Sequence, residues 1–246
     1  MQNPFSLEGK TILITGASSG IGITTCKMID QMGGRCIGIG RNLTEFKKAF
    51  PGEKHLSIEF DLTNLGLIEQ LVEKLELIDG YVHAAGIVDI NPIKFFKPEL
   101  YERIRKTNLD SYLYILSFLL RKKKIKRNSS IVMVSSISGS FGAKGYGLYG
   151  ITKAGLDIAA KTYANELANQ KIRVNTIAPG MVRTKIALDT SEKLGDDQIN
   201  IDEAKYPLGY GDPEDVANPI IFLLSEASKW ITGQVIVIDG GRTATV

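Results

Sequence analysis

Tyr149 and Lys153 stand four residues apart in a stretch of helical spacing, so their side chains share one face. An ammonium beside a phenol favours the phenolate and draws the Tyr pKa from its ordinary ~10 toward working pH. Such a Tyr can give a proton to a carbonyl oxygen or take one from an alcohol. Ser136 closes a short apolar run upstream of Tyr149, and its hydroxyl could hold the same substrate oxygen. Alone, a Tyr and a Lys at this spacing arise mostly by chance. Their conjunction with a strand-end Ser and a glycine turn is much rarer.

That turn is Thr15-Gly16-Ala17-Ser18-Ser19-Gly20-Ile21-Gly22, between an apolar run and a helical stretch. Gly16 permits a tight bend, while Gly20 and Gly22 let backbone approach a pyrophosphate and let helix pack on strand. The helix N-terminus offers free N–H groups and a positive dipole end to anionic oxygens. The spacing is G-x-x-x-G-x-G rather than G-x-G-x-x-G, and an unliganded turn is the plain alternative. The second apolar run ends Gly38-Ile39-Gly40-Arg41-Asn42, with no acid to grip a ribose 2′-hydroxyl. Arg41 with the Asn42 amide suits a 2′-phosphate, so the pattern favours NADP(H) over NAD(H). The plain alternative for Arg41 is a solvated surface charge.

These residues need a frame. Apolar runs predict strands at 11–15, 36–39, 56–60, 78–84, 130–135, 172–177 and 234–239. Helical spacing predicts helices at about 20–32, from 63 to about 76, 98–124, 149–169 and 213–224, the last capped by Asp212. This alternation means βαβ units. The expected fold is α/β, a doubly wound parallel sheet (Rossmann fold) of about seven strands with helices on both faces. No linker or repeat interrupts residues 1–246, which read as one dinucleotide-binding and catalytic domain. A polar, weakly periodic stretch at about 184–206 reads as a substrate lid.

Composition sets the limits. The chain has 246 residues, 43% hydrophobic and 23% charged, with net charge +3. Disorder is excluded, and so small a charge does not argue for nucleic acid. Two cysteines, Cys26 and Cys36, build neither a disulfide framework nor a metal site. The polar opening MQNPFSLEGK and the absence of a long apolar run point away from a signal peptide or membrane span, hence to the cytoplasm.

The chain resembles the short-chain dehydrogenase/reductases along nearly its whole length. Beyond the glycine turn, the resemblance is carried by Asp61-Leu62-Thr63, Ala84-Ala85-Gly86, Asn108, Ser136, Tyr149-Gly150-Ile151-Thr152-Lys153, Pro179-Gly180, Ile231-Thr232-Gly233 and Asp239-Gly240-Gly241. It implies a hydride transfer between NAD(P)H and a carbonyl or secondary alcohol. Tyr149 would be the general acid or base, and Ser136 would orient the substrate oxygen. Lys153 would bind the nicotinamide ribose, and Asn108 would complete a tetrad through a water-linked relay. Cofactor contacts would come from Gly16, Ser18, Ser19, Gly20, Ile21, Gly22, Arg41, Asn42, Asp61, Leu62, Ala84, Ala85 and Gly86. Tyr149, Lys153, Pro179, Gly180, Val182 and Thr184 would complete them. The look is closest to the β-ketoacyl-carrier-protein reductase branch, and the resemblance implies a homotetramer or dimer.

Two departures stand out. The family often has Asn-Asn-Ala-Gly where this chain has His83-Ala84-Ala85-Gly86, and His83 reads as a strand-end packing residue. The segment 207–213 is one residue shorter than the usual pattern and lacks its Arg. Arg121 to Arg127 places six cations in seven positions at the expected helix end. That run is either a solvated end favoured by the helix dipole or a dock for an acidic carrier protein. Phe141, Tyr146, Ile87 and Met181 are candidates for the pocket wall. The substrate stays open among a sugar, a polyol, a ketoacyl thioester and an apolar ketone. A reading of another class is a catalytically silent dinucleotide-binding regulator.

Overall fold

The computed structural model describes residues 3–184 and 196–244. Strands β1 (Thr11–Thr15), β2 (Arg35–Gly40), β3 (Leu56–Glu59), β4 (Ile78–His83), β5 (Ile125–Val134), β6 (Arg173–Pro179) and β7 (Val235–Ile238) form one sheet. All neighbours pair in parallel, in the order β3-β2-β1-β4-β5-β6-β7. The order reverses between β1 and β4, which is where a doubly wound sheet opens its ligand crevice.

The central strands are buried on both faces because each face is covered. Helices α1 (Gly20–Gln31) and α8 (Pro213–Leu224) lie on one side. Between α1 and α8 the chain also forms α2 (Thr44–Ala49), α3 (Ile68–Glu73), α4 (Pro98–Arg105), α5 (Ser111–Arg121), α6 (Gly147–Glu166) and α7 (Asp196–Glu203). Alternate residues of one strand feed opposite cores: Ile12 and Ile14 pack under α1, while Leu13 packs with residues of α3, α5 and α6. Each fully buried Ile, Leu or Val there contributes about 1.5–3 kcal/mol.

Three departures from the sequence reading matter. The expected helix 98–124 is broken: residues Lys106–Asp110 form a π turn between α4 and α5. Helix α2 was hidden because its six residues are too few to show a helical period. Part of the expected lid region holds α7, and residues 185–195 of that region lie outside the described ones.

The basic run spans the end of one helix and the start of a strand. Arg121 closes α5, Lys122 and Lys123 turn the chain, and Ile125 to Arg127 already belong to β5. Lys122 pairs with Glu69 and Glu73 at 2.7 and 2.6 Å, and Lys126 pairs with Asp79 at 2.8 Å. Arg127 donates to the Asn169 carbonyl at 2.8 Å. Within one chain the run therefore sits at the amino end of β5, the far end of the sheet from the ligand crevice. Lys122→Gln with Lys126→Gln is expected to leave turnover of a free small carbonyl within about twofold, since exposed pairs are worth only about 0–1 kcal/mol. A tenfold loss would relocate the catalytic importance of this run.

No helix among the described residues is long and apolar enough to cross a membrane.

Candidate active site

The glycine turn is shaped by contacts that exclude side chains. Gly16 has φ +74°, and a Cβ there would lie 2.7 Å from the Ala85 nitrogen. A Cβ on Gly22 would lie 2.0 Å from the Gly16 carbonyl oxygen, so α1 rests directly on the turn. The Ser19 side chain makes no capping bond to α1. The first N–H groups of the helix therefore remain for an anion. Thr184 closes over Gly20, its Cγ2 only 3.1 Å from where a Cβ would be.

A cleft of about 1270 Å³ runs along the carboxyl ends of β1, β2, β3, β4, β5 and β6. It is lined by the expected cofactor residues from Gly16 to Thr184 except Asn42, whose Oδ1 instead accepts from the Thr44 amide at 3.0 Å. That bond starts α2, a role an Asn side chain fills readily. Arg41 lines the cleft beyond β2, and Asp61 lines it beyond β3. The Thr63 amide and hydroxyl bond the Asp61 carboxylate at 2.9 and 2.8 Å and hold its pKa below the usual range, with Arg41 adding to the effect. The residues present thus fit a dinucleotide: an open helix N-terminus, side-chain-free backbone beside it, and a guanidinium at the second strand's end.

At the other end of the cleft stand Ser136, Tyr149 and Lys153. Ser136 follows β5 and caps a short 3₁₀ turn, its Oγ accepting from the Ser138 amide at 3.1 Å. The Ser136 hydroxyl lies close enough to the Tyr149 phenol to pull its pKa downward. The Lys153 Nζ is 5.5 Å from the Tyr149 ring centre and donates to the Val134 carbonyl at 2.7 Å. Phe141, Tyr146, Ile87 and Met181 line the same cleft, as the sequence suggested.

The electrostatics correct one expectation. Lys153 was expected to pull the Tyr149 pKa down. Burial instead pushes Tyr149 up to about 12 and Lys153 down to about 8. Desolvation of the phenolate outweighs the pull of the nearby Ser136 hydroxyl, and Tyr146 adds to the rise. Tyr149 therefore keeps its proton at neutral pH, the form required to donate one.

Asn108 sits in the π turn behind the cleft and is fully buried. Its Oδ1 accepts from the Ile87 amide at 2.8 Å, and its Nδ2 donates to the Ile87 carbonyl at 2.9 Å and to the Thr152 hydroxyl at 3.2 Å. It thereby ties the loop after β4 to the residue before Lys153. Sequence spacing concealed Thr152 because a Thr in a helix carries no signal of its partner. It also concealed Arg242, which lines the cleft between the rings of Phe141 and Tyr206, at 5.0 and 5.9 Å.

Comparison with known proteins agrees with this geometry. The family model described as enoyl-(acyl carrier protein) reductase matches residues 16–243. A 3-oxoacyl-(acyl-carrier-protein) reductase from Thermotoga maritima is 37% identical, covering 96% of this chain and 98% of that protein. Its Escherichia coli counterpart is 32% identical, again over 96% and 98%. Among solved structures, a short-chain dehydrogenase family protein from Francisella tularensis superposes with TM-score 0.89 at 29% identity, over 96% of this chain and 99% of that one. A protein described as a 2-deoxy-d-gluconate 3-dehydrogenase from Agrobacterium tumefaciens, with bound NADP, gives TM-score 0.89 at 25% identity, over 99% and 100%.

Proposed function

The chain belongs to the short-chain dehydrogenase/reductase family, in its 3-oxoacyl-carrier-protein reductase-like branch, and is a nicotinamide-dependent oxidoreductase; from this premise we propose that it reduces a 3-oxoacyl thioester to the 3-hydroxyacyl thioester with NADPH, in the cytoplasm. The observation that carries the reading is that Ser136, Tyr149 and Lys153 line the same cleft as the open N-terminus of α1 and Arg41.

The cofactor, when bound, supplies the hydride. Everything else is the protein's work. The Ser136 hydroxyl donates to the ketone oxygen and holds it within reach of Tyr149. The Tyr149 phenol gives its proton to that oxygen as negative charge develops there. The Lys153 ammonium, beneath the phenol, stabilises the phenolate left behind. Asn108 fixes the loop after β4 against the helix that carries both residues. In the reverse direction the same groups take the alcohol proton.

The test is a panel of 3-oxoacyl thioesters, sugars, polyols and simple ketones, read by NADPH absorbance. Thioester reduction with a kcat/KM at least tenfold above every other class is expected. A preference for sugars or polyols would overturn the substrate. Cofactor binding with no turnover on any class would instead favour a silent dinucleotide-binding regulator. NADPH is expected to be preferred over NADH. A charge-assisted bond from Arg41 to the 2′-phosphate is worth about 1.5–3 kcal/mol, and exposure of this guanidinium puts it at the low end. Arg41→Ala is therefore expected to raise the KM for NADPH about tenfold and leave that for NADH within about twofold. Equal effects on both would deny Arg41 this role.

Apolar residues outside the cleft support a homotetramer, or a dimer. Ile151 and Ile158 on α6 are 56% and 62% exposed, and Trp230 is 96% exposed. A light-scattering mass of one chain would remove this part of the proposal.

A further inference from the structure

We propose that His83 is a positioning residue of this active site: its ring holds the main-chain carbonyl of Asn108 and so fixes the π turn that braces Lys153 and Tyr149. The inference rests on the reductase reading for its meaning, though not for all of its test.

His83 ends β4 and is completely buried. Its Nε2 lies 3.1 Å from the Asn108 carbonyl oxygen. A carbonyl only accepts, so Nε2 carries the hydrogen. Nδ1 is then a bare acceptor, and two hydroxyls meet it: Thr15 at 2.9 Å and Tyr81 at 3.1 Å. The network is closed and fixes one neutral tautomer. Burial, with the Lys153 charge adding to it, lowers the His83 pKa to about 3, so the ring stays neutral at working pH.

The contact with Thr15 follows from the sheet. Thr15 and His83 are register partners at the carboxyl ends of β1 and β4, the two strands that border the switch point. The ring therefore joins the end of the glycine-turn strand, the end of β4 and the π turn in a single network. A π turn is sparsely favoured and persists where something over-determines it. Asn108 is held twice: by Ile87 and Thr152 through its amide, and by His83 through its carbonyl.

Removing the ring nitrogens takes the His83 donor away from the buried Asn108 carbonyl. The turn then has reason to relax, and with it the Asn108 bond to Thr152 beside Lys153. The consequence falls on proton transfer, not on the adenine end of the cleft. A residue that merely fills space would not discriminate between the two.

Three variants separate the cases. His83→Phe keeps a ring and loses both nitrogens. His83→Gln places an N–H near the depth of Nε2. His83→Asn is too short to reach Asn108 but can still meet Thr15, and it serves where the Phe variant folds poorly. Per folded molecule, Phe and Asn are expected to lower kcat at least tenfold with the KM for NADPH within about twofold. Gln is expected to recover kcat to within about threefold of the parent. Parent-like kcat in the Phe or Asn variant, or no rescue by Gln, would overturn the proposal. A second readout needs no turnover. Nitrogen NMR of the parent should show a neutral His83 with its hydrogen on Nε2 from pH 5 to 9. The Asn108 side-chain amide should exchange slowly in parent and Gln, and fast in Phe and Asn. An Nδ1–H or charged ring, or an unchanged amide, would also overturn it. A parent with no turnover but the expected ring and amide signals would defeat the reductase reading alone.

Discussion

Tyr149→Phe is expected to lower kcat for carbonyl reduction by about 10²–10⁴-fold while leaving the NADPH dissociation constant within about twofold. The loss is large because the phenol proton has no replacement. Ser136 can still hold the substrate oxygen, but a hydroxyl with an ordinary alcohol pKa makes a poor acid. The Lys153 Nζ is engaged with the Val134 carbonyl at 2.7 Å and lies 5.5 Å from the Tyr149 ring centre, a place to stabilise charge on the phenol rather than to replace its proton. The binding is spared because the pyrophosphate end of the cleft, at the α1 N-terminus, shares no hydrogen bond with Tyr149. Phe also keeps the ring packing with Tyr146, 6.3 Å away centre to centre. The readouts are steady-state absorbance and a fluorescence titration of NADPH. A Phe variant within tenfold of the parent would mean that water or another group supplies the proton.

The direction of the shift in Tyr149 gives this expectation its chemical sense. A phenol raised to about 12 is a reservoir of protons at neutral pH, and reduction consumes one. Spacing alone made the opposite suggestion, because a sequence shows that Lys153 is near but not how deeply both groups are buried. Desolvation depends on what closes over a residue, and spacing along the helix carries no record of that.

The same distinction explains what the sequence disclosed elsewhere. Local patterns were readable because local physics sets them. Gly22 is required by contact with Gly16 six residues before it, Gly16 has the left-handed φ of a tight turn, and the central strands show as short, largely apolar runs. Asp212 marked the start of α8, and there the Asp215 carboxylate accepts from the Asp212 amide at 2.7 Å. What stayed hidden was non-local. The π turn at Lys106–Asp110 has no pattern of its own; it exists because Asn108 is claimed by Ile87, Thr152 and His83. His83 read as packing because its three partners come from β1, β4 and the π turn. The basic run read wholly as a helix end, but β5 begins five residues before the expected start at 130, and Asp79 and Asn169 give Lys126 and Arg127 partners along its edge.

Gly22→Ala is expected to weaken NADPH binding at least tenfold and to lower the melting temperature by about 2–12 °C. One added methyl group does this because it has nowhere to go. Its carbon would lie 2.0 Å from the Gly16 oxygen and 2.7 Å from the Gly16 carbonyl carbon, both main-chain atoms. No rotamer relieves a Cβ clash, so either α1 lifts away from the turn or the turn moves. The turn is itself held: Gly16 has φ +74° and sits against the Ala85 backbone, leaving it no second conformation of similar energy. Helix α1 must therefore tilt. Overpacking of this kind costs about 1–3 kcal/mol, and each kcal/mol moves the melting point about 2–4 °C in a chain of this size. The binding loss follows because the N–H groups that face an anion are those of the first turn of α1, the part displaced most. Gly66→Ala is the matching control. A Cβ there meets nothing within 4 Å, and its φ is ordinary, so both readouts should stay at parent values. A Gly22→Ala chain with parent affinity and melting point would show that α1 has slack over the turn, and the dinucleotide cradle would then owe its shape to something other than these two glycines.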